Sequence, residues 1–435
     1  MKKVLIITYY WPPSGGAGVQ RWLRFVKHLR ENGYEPIIYT ADNPNYALYD
    51  EKLLSQVPEG IRILKTKIKE PNNLLSKFSF GKKKEKGLYN TQQQKGNKRS
   101  FIQKVSWFVR GNFFIPDARF LWIKPSVKYL TQFLEKEKVD IIISSGPPHS
   151  LHLIAKKLNE KLDIPWIADF RDPWTSMDYL DEMYLTKWAR KKHARLEKSI
   201  ITAANEVVVV GNTMYNEYLE NYNRKTKIIY NGFDAKISQD VEVDLDGNFT
   251  IVHIGSFLKN RNCNDLWKVL AKLTQENENF RNQLEIRLIG NVAPVVLESI
   301  EANGLNQYLH KIAYIPFEET QKYLHSAQVL LLPIDRIPNA DFVLTGKLFE
   351  YMKSKRPILL IGPSKGDAAD IISSCNAGYC CDFDNEESIK ETVLQLFEKF
   401  SKNENNIDSK NVEQFSGVEL TKEMAKLFDA NLKKI

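Results

Sequence analysis

The stretch Thr345-Gly346-Lys347-Leu348-Phe349-Glu350-Tyr351-Met352 decides how this chain is read. The apolar run 329–332, closed by Pro333 and a polar loop, precedes it, and a basic stretch and a second apolar run, 358–361, follow. That order predicts strand, loop, helix, strand. Leu348, Phe349 and Met352 fall on one helical stripe and face a sheet, while Lys347 and Glu350 share another face near the helix start. A cation in the first turn meets the positive end of the helix dipole and its unpaired N–H groups. The placement makes sense if an anion sits there. The Thr345 hydroxyl, the Gly346 N–H and the Lys347 ammonium then converge on a phosphate, and Glu350 accepts hydrogen bonds from a sugar diol. The alternative is a solvated Lys–Glu pair three residues apart on an ordinary helix.

Working outward, 435 residues with 43% hydrophobic and 26% charged side chains suit a soluble protein of two or three domains. No apolar run approaches the roughly 20 residues of a membrane span. The first apolar stretch stops at Thr8 with no cleavage site after it, so it reads as a β-strand rather than a leader. Four cysteines, with Cys380 and Cys381 adjacent, give neither a disulfide framework nor a zinc signature, and a cytoplasmic location follows as the default. Residues 1–235 hold 39 Lys/Arg against 24 Asp/Glu, whereas the remainder is net acidic. A basic front half points to an anionic partner.

The front half opens with a strand over 3–8 that runs into Tyr9-Tyr10-Trp11-Pro12-Pro13-Ser14-Gly15-Gly16-Ala17-Gly18. A helix closed by Gly33 and a strand over 35–39 follow, giving a βαβ unit whose turn lies where parallel sheets bind ligands. Gly15, Gly16 and Gly18 let backbone N–H groups approach a phosphate or sugar. The spacing is not the dinucleotide fingerprint, which argues against a nicotinamide or flavin cofactor. Residues 76–104 read as a basic loop without a core, and an aromatic, basic stretch from Phe101 to Lys124 follows. Together they read either as an interfacial contact with an anionic membrane or as core helices. His149, after a strand over 139–144, is a candidate substrate contact. At another strand end the carboxylates of Asp169 and Asp172 flank Arg171, where they either position an acceptor hydroxyl or take its proton, or else form a structural ion-pair cluster.

The acidic segment 235–248 places a domain boundary, giving domains 1–235 and 236–411, with a C-terminal helix over 412–432 that crosses back to the first domain. The second half is another α/β series. Its strands over 251–254 and 284–288 end at Gly255 and Gly290, a helix spans 264–276, and a further strand spans 312–315. Arg261, in the loop ahead of that helix, reaches the same phosphate site as Lys347. The Asp-x-Asp strings at 244–246 and 382–384 lie in a linker and ahead of a helix cap, so no metal site is assigned.

With these residues in place, nearly the whole chain resembles the GT-B glycosyltransferases of family 4, the large retaining group. The resemblance rests on the Pro12–Gly18 turn, Asn231-Gly232-Phe233-Asp234, Gly255 with Arg261, and Gly346-Lys347-Leu348-Phe349-Glu350-Tyr351-Met352. It implies two Rossmann-like domains facing across a cleft, the C-terminal one holding a nucleotide-sugar and the N-terminal one an acceptor. On that resemblance Arg261 and Lys347 bind the donor diphosphate, Glu350 the ribose hydroxyls, and Gly15 and Gly16 line the acceptor side. The chain departs from the pattern at three positions. Phe342 stands where the first of two glutamates is common, with Asp341 beside it. Ser256 follows Gly255 in place of a basic residue, and Arg171 replaces a histidine. The implied activity is a retaining, metal-independent transfer of a sugar to a lipid-linked or growing glycan acceptor in cell-surface polysaccharide or glycoconjugate synthesis, at the inner face of the cell membrane and without nucleic acid. A sugar-nucleotide 2-epimerase of the same form and a non-catalytic relative acting as a partner protein are the alternatives.

Overall fold

The computed structural model describes residues 1–70, 101–234 and 243–433. Most of the basic stretch 76–104, and the start of the acidic segment 235–248, lie outside the described residues. The chain divides into two compact units, Met1–Asp234 with Gly417–Ile435, and Ala235–Ser416.

In the first unit the runs of Val, Ile and Leu are strands of one parallel sheet, buried on both faces as crossover helices require. The strands are β1 (Lys2–Ile7), β2 (Tyr34–Ala41), β3 (Arg62–Thr66), β4 (Ile141–Gly146), β5 (Trp166–Phe170), β6 (Glu206–Val209) and β7 (Lys227–Ile228), in the order β3-β2-β1-β4-β5-β6-β7. The order reverses between β1 and β4, which pair with Val4 opposite Ile141 and Ile7 opposite Ser144. Loops leaving the two C-terminal strand ends diverge at such a reversal and leave a crevice. The glycine-rich turn follows β1, and Pro147-Pro148-His149 follows β4. Both therefore flank the reversal.

The helix Ala17–Leu29 covers one face through Val19, Trp22, Leu23 and Val26. It runs on into a 3-10 turn and ends at Gly33, whose φ of 82° is left-handed and suits glycine. The C-terminal helix Gly417–Leu432 lies against it and adds Leu420, Met424 and Phe428 to the same core. The Phe428 ring meets that of Tyr34 at 5.0 Å. At the entry to this helix the Gly417 N–H donates to the Phe233 carbonyl at 2.8 Å. A Cβ on Gly417 would stand 2.5 Å from Arg24 Cγ, so only glycine fits. The helix read over 412–432 is thus a 3-10 turn, Val412–Phe415, followed by a separate helix.

The second unit repeats the scheme with β8 (Phe249–Ile254), β9 (Leu284–Ile289), β10 (Leu309–Ile312), β11 (Val329–Pro333), β12 (Ile358–Ile361) and β13 (Gly378–Cys381), in the order β10-β9-β8-β11-β12-β13. Its reversal lies between β8 and β11, so Gly255 and the loop leading to the helix Gly346–Lys353 flank it. Strand β10 starts three residues ahead of the expected 312–315 segment, and β3 had no sequence signal. Both are edge strands with exposed polar residues. Among the described residues no helix is long and apolar enough to cross a membrane.

Candidate functional site

Each unit carries a cluster of polar groups at its sheet reversal. In the second unit β8 ends at Gly255, whose φ is +104°. Its missing side chain makes room for Lys347: a Cβ there would lie 2.8 Å from Lys347 Cε and 3.0 Å from its Nζ. Gly290, at the end of neighbouring β9, stands so close that a Cβ would meet the Gly255 carbonyl oxygen at 2.8 Å. The two glycines and the lysine therefore form one packed feature.

The Lys347 ammonium donates to the Ser256 carbonyl at 3.3 Å and lies 3.2 Å from His253 Nε2. His253 is 1% exposed, and its Nδ1 lies 3.0 Å from the Leu331 carbonyl. A carbonyl only accepts, so Nδ1 carries the proton. Burial, with Lys347 next, holds the ring's pKa well below the usual value. The neutral ring leaves the Nε2 lone pair aimed at the ammonium. Lys347 has no carboxylate partner among the described residues. Burial and then the Arg261 charge bring its pKa down to about 7, with Asp335 opposing. Arg261 pairs with Asp335 Oδ2 at 2.7 and 3.0 Å, which anchors the guanidinium beside the lysine.

Thr345 precedes the helix Gly346–Lys353, but its side chain makes no cap bond there. Its Oγ1 is buried without a hydrogen-bond partner among the described residues. A buried hydroxyl without a partner costs free energy unless a ligand completes it. Glu350 follows on the same helix, partly buried and engaged with a neighbour. Phe342 ends the 3-10 turn Ala340–Phe342. Asp341 lies in the same turn with its backbone packed on Gly366, where a Cβ would meet Asp341 Cα at 3.0 Å.

In the first unit the expected roles separate. Asp169 is 0% exposed and accepts from Arg21 Nη2 at 2.8 Å, Trp22 Nε1 at 2.9 Å and Ser145 Oγ at 2.8 Å. Burial pushes its carboxyl up, but the Arg21 charge and these hydrogen bonds outweigh that and hold it below the usual range. Asp169 is a buried structural ion pair, not a group free to take a proton. Arg171 is likewise committed: its guanidinium donates to the carbonyls of Gly18, Gly146 and Pro147 and lies 5.5 Å over the Tyr10 ring. It ties the turn after β1 to the turn after β4.

Of the three residues at this strand end, Asp172 makes no hydrogen bond or ion pair among the described residues. Burial raises its carboxyl, with Arg171 pulling the other way. His149 is 2% exposed and stacks on Trp174 at 4.5 Å with rings 1° from parallel. Burial, then His152 and His193, keep it neutral, and neither ring nitrogen has a partner among the described residues. In the glycine turn, Gly16 (φ 83°) opens outward with nothing near a would-be Cβ, whereas Gly15 is packed on Leu48 and Gly18 on Tyr10 and Arg171. In the first cluster, then, Gly16 faces open space, while the Asp172 carboxyl and the His149 ring nitrogens have no hydrogen-bond partner among the described residues.

Arg21, His253 and Asp335 escaped the sequence reading. A single histidine in the apolar string Ile251-Val252-His253-Ile254 was a visible signal. The partners of Arg21 and Asp335 had none, because they lie 148 and 74 residues away.

The description Glycosyltransferase Family 4 matches residues 93–236, and Glycosyl transferases group 1 matches residues 248–399. Sucrose-phosphate synthase from Thermosynechococcus elongatus superposes with a TM-score of 0.61 at 12% identity, covering 100% of both chains. HepE of Anabaena, in complex with UDP-glucose, gives 0.62 at 13% identity over 99% of this chain and 100% of that one. The chain belongs to the family 4 type of GT-B glycosyltransferases. A Listeria monocytogenes protein described as a UDP-N-acetylglucosamine 2-epimerase also shares the transferase's fold, with a TM-score of 0.55 at 10% identity over 100% and 97% of the two chains. No curated protein matches the transferase at the sequence level. The Gly255–Lys347 cluster falls within the second matched segment and Asp172 within the first, while the glycine turn precedes both.

Proposed function

We propose that this glycosyltransferase moves a sugar from a nucleotide-diphosphate donor to a lipid-linked or growing glycan acceptor, with retention, in the synthesis of a cell-surface polysaccharide or glycoconjugate. The observation that carries the donor reading is the Lys347 ammonium at a helix start, beside Arg261 and the Thr345 hydroxyl, the ammonium without a carboxylate partner and the hydroxyl without any partner among the described residues. A diphosphate gives the ammonium a counter-charge and the hydroxyl a partner, with the Arg261 guanidinium, anchored by Asp335, as a second cation beside them. As the glycosidic bond breaks, negative charge grows on the departing phosphate, and preorganised cations stabilise that state more than the ground state. Glu350 takes the ribose hydroxyls, and Gly255 and Gly290 admit the phosphates closely. No divalent metal is needed in this scheme.

For retention, the acceptor hydroxyl attacks the face the phosphate leaves, and the leaving phosphate takes its proton. Asp172 orients that hydroxyl and Gly16 offers its backbone to the acceptor. The basic front half and the aromatic stretch after residue 100 support an acceptor carried at the inner face of an anionic membrane. HepE's complex with UDP-glucose supports a nucleotide-sugar donor.

A thermal-shift screen across UDP-, GDP- and ADP-sugars tests the reading directly, and one class should raise the melting temperature. Lys347→Ala removes a charge-assisted contact worth about 1.5–3 kcal/mol, so donor affinity should fall roughly 10- to 150-fold. Unchanged turnover in that variant would sink the assignment. Conversion of the donor with no acceptor present would mark an epimerase instead.

A further inference from the structure

The helix Phe101–Phe113 is apolar in composition yet has almost no core to lie on. Of its described residues, only Gly111 and Asn112 in the last turn are buried. Phe101, Val105, Phe108 and Phe113 are 80, 45, 38 and 65% exposed. Phe101, Val105 and Phe108 recur at helical spacing and make one stripe. The last turn is fastened to the segment that opens the helix Lys187–Ala203. Asn112 Nδ2 donates to the Tyr184 carbonyl at 3.2 Å, and its Oδ1 accepts from the Thr186 N–H at 2.7 Å. A Cβ on Gly111 would meet Leu185 Cδ2 at 2.6 Å. Two more exposed rings, Tyr184 at 49% and Trp188 at 59%, therefore stand where the two helices meet.

The second helix is cationic to an unusual degree. It carries Lys187, Arg190, Lys191, Lys192, Arg195 and Lys198 against a single acid, Glu197, which is buried. Arg190 pairs with Asp181 at 2.9 Å outside the helix, and the Lys192 ammonium lies 4.8 Å over the Trp188 ring. Exposed rings beside cations with no exposed acid on the helix match a lipid headgroup layer, which takes aromatic rings at its depth and lysines at its phosphates. A protein interface argues the other way, since its core is depleted of lysine.

We propose that these two helices form a docking face for an anionic phospholipid surface. The inference deepens the acceptor reading and rests on it, since an acceptor on a lipid is met only at such a surface. The test is flotation of the full chain, without sugar donor, on phosphatidylcholine vesicles with or without phosphatidylglycerol. Binding should require the anionic lipid and weaken with salt. Phe101→Ser with Phe108→Ser, and separately Lys187→Glu with Lys191→Glu, should each lower vesicle affinity at least about tenfold while leaving the melting temperature unchanged. Equal binding to neutral vesicles overturns the proposal, and so does binding untouched by both pairs. Self-association in sedimentation that the phenylalanine pair abolishes, without vesicle binding, makes the face a protein interface and also overturns it. Lys347→Ala should float like the wild type. Vesicle binding by a chain that binds no nucleotide sugar would sink the donor reading and leave the docking face standing.

Discussion

Lys347 holds a charge that its surroundings barely support, and this makes it sensitive to pH in a way the sign of the shift defines. Burial and Arg261 bring its pKa down to about 7 in the free protein. A diphosphate restores the proton, so the bound value lies higher. Donor affinity should be greatest below pH 7 and fall as pH rises from there toward the bound-state pKa. Calorimetric titration with a nucleotide sugar, whose diphosphate does not itself titrate in this range, checks the slope. Lys347→Arg should flatten it, and a flat wild-type profile removes the role given to the lysine. His253 acts through Lys347. His253→Leu removes the acceptor that steers the ammonium and should raise the donor KM several-fold with a smaller change in kcat. Equal effects on both parameters would mean that the histidine is only packing.

At the scale of elements, the ion pair between Asp169 and Arg21 fixes strand β5 to the helix Ala17–Leu29. Asp169→Ala leaves Arg21, 2% exposed, with its charge unpaired. Removing one partner of such a pair costs about 3–5 kcal/mol, so the denaturant midpoint should fall sharply. The fraction still folded should keep its donor affinity, because the groups proposed to hold the donor belong to the other unit. Gly255→Ala puts a side chain at φ +104° and into Lys347. It should lower donor affinity at least as much as it lowers stability, as thermal shift with and without donor would show.

The parts of the sheets read correctly from the sequence are those where burial on both faces forces continuous apolar runs, such as Ile358–Ile361. Strand β3, Arg-Ile-Leu-Lys-Thr, lies at an edge and keeps one half in water, so no run marks it. The site divides in the same way. Glycines and a cation at a helix start are local signals and were legible. That Asp169 is sealed by Arg21, or that Arg171 is spent on three carbonyls, depends on contacts between segments far apart in the chain and left no local mark.

Across the whole molecule, one solution appears twice: a parallel sheet with its reversal, and polar groups on the loops beside it. The two copies differ in charge, with 39 basic against 24 acidic residues before residue 236 and an acidic remainder. The first copy is also not continuous in the chain, since the helix Gly417–Leu432 supplies Leu420, Met424 and Phe428 to its core. Deleting residues 417–435 should expose that stripe of the helix Ala17–Leu29 and leave the first unit insoluble or partly unfolded. A far- and near-ultraviolet circular dichroism comparison would show it. The same arrangement sets a schedule for biosynthesis. At about 5–20 residues per second, the ribosome spends roughly 10–40 s on the second unit before the closing helix emerges. Throughout that interval the nascent first unit lacks the cover that Leu420, Met424 and Phe428 later give its core.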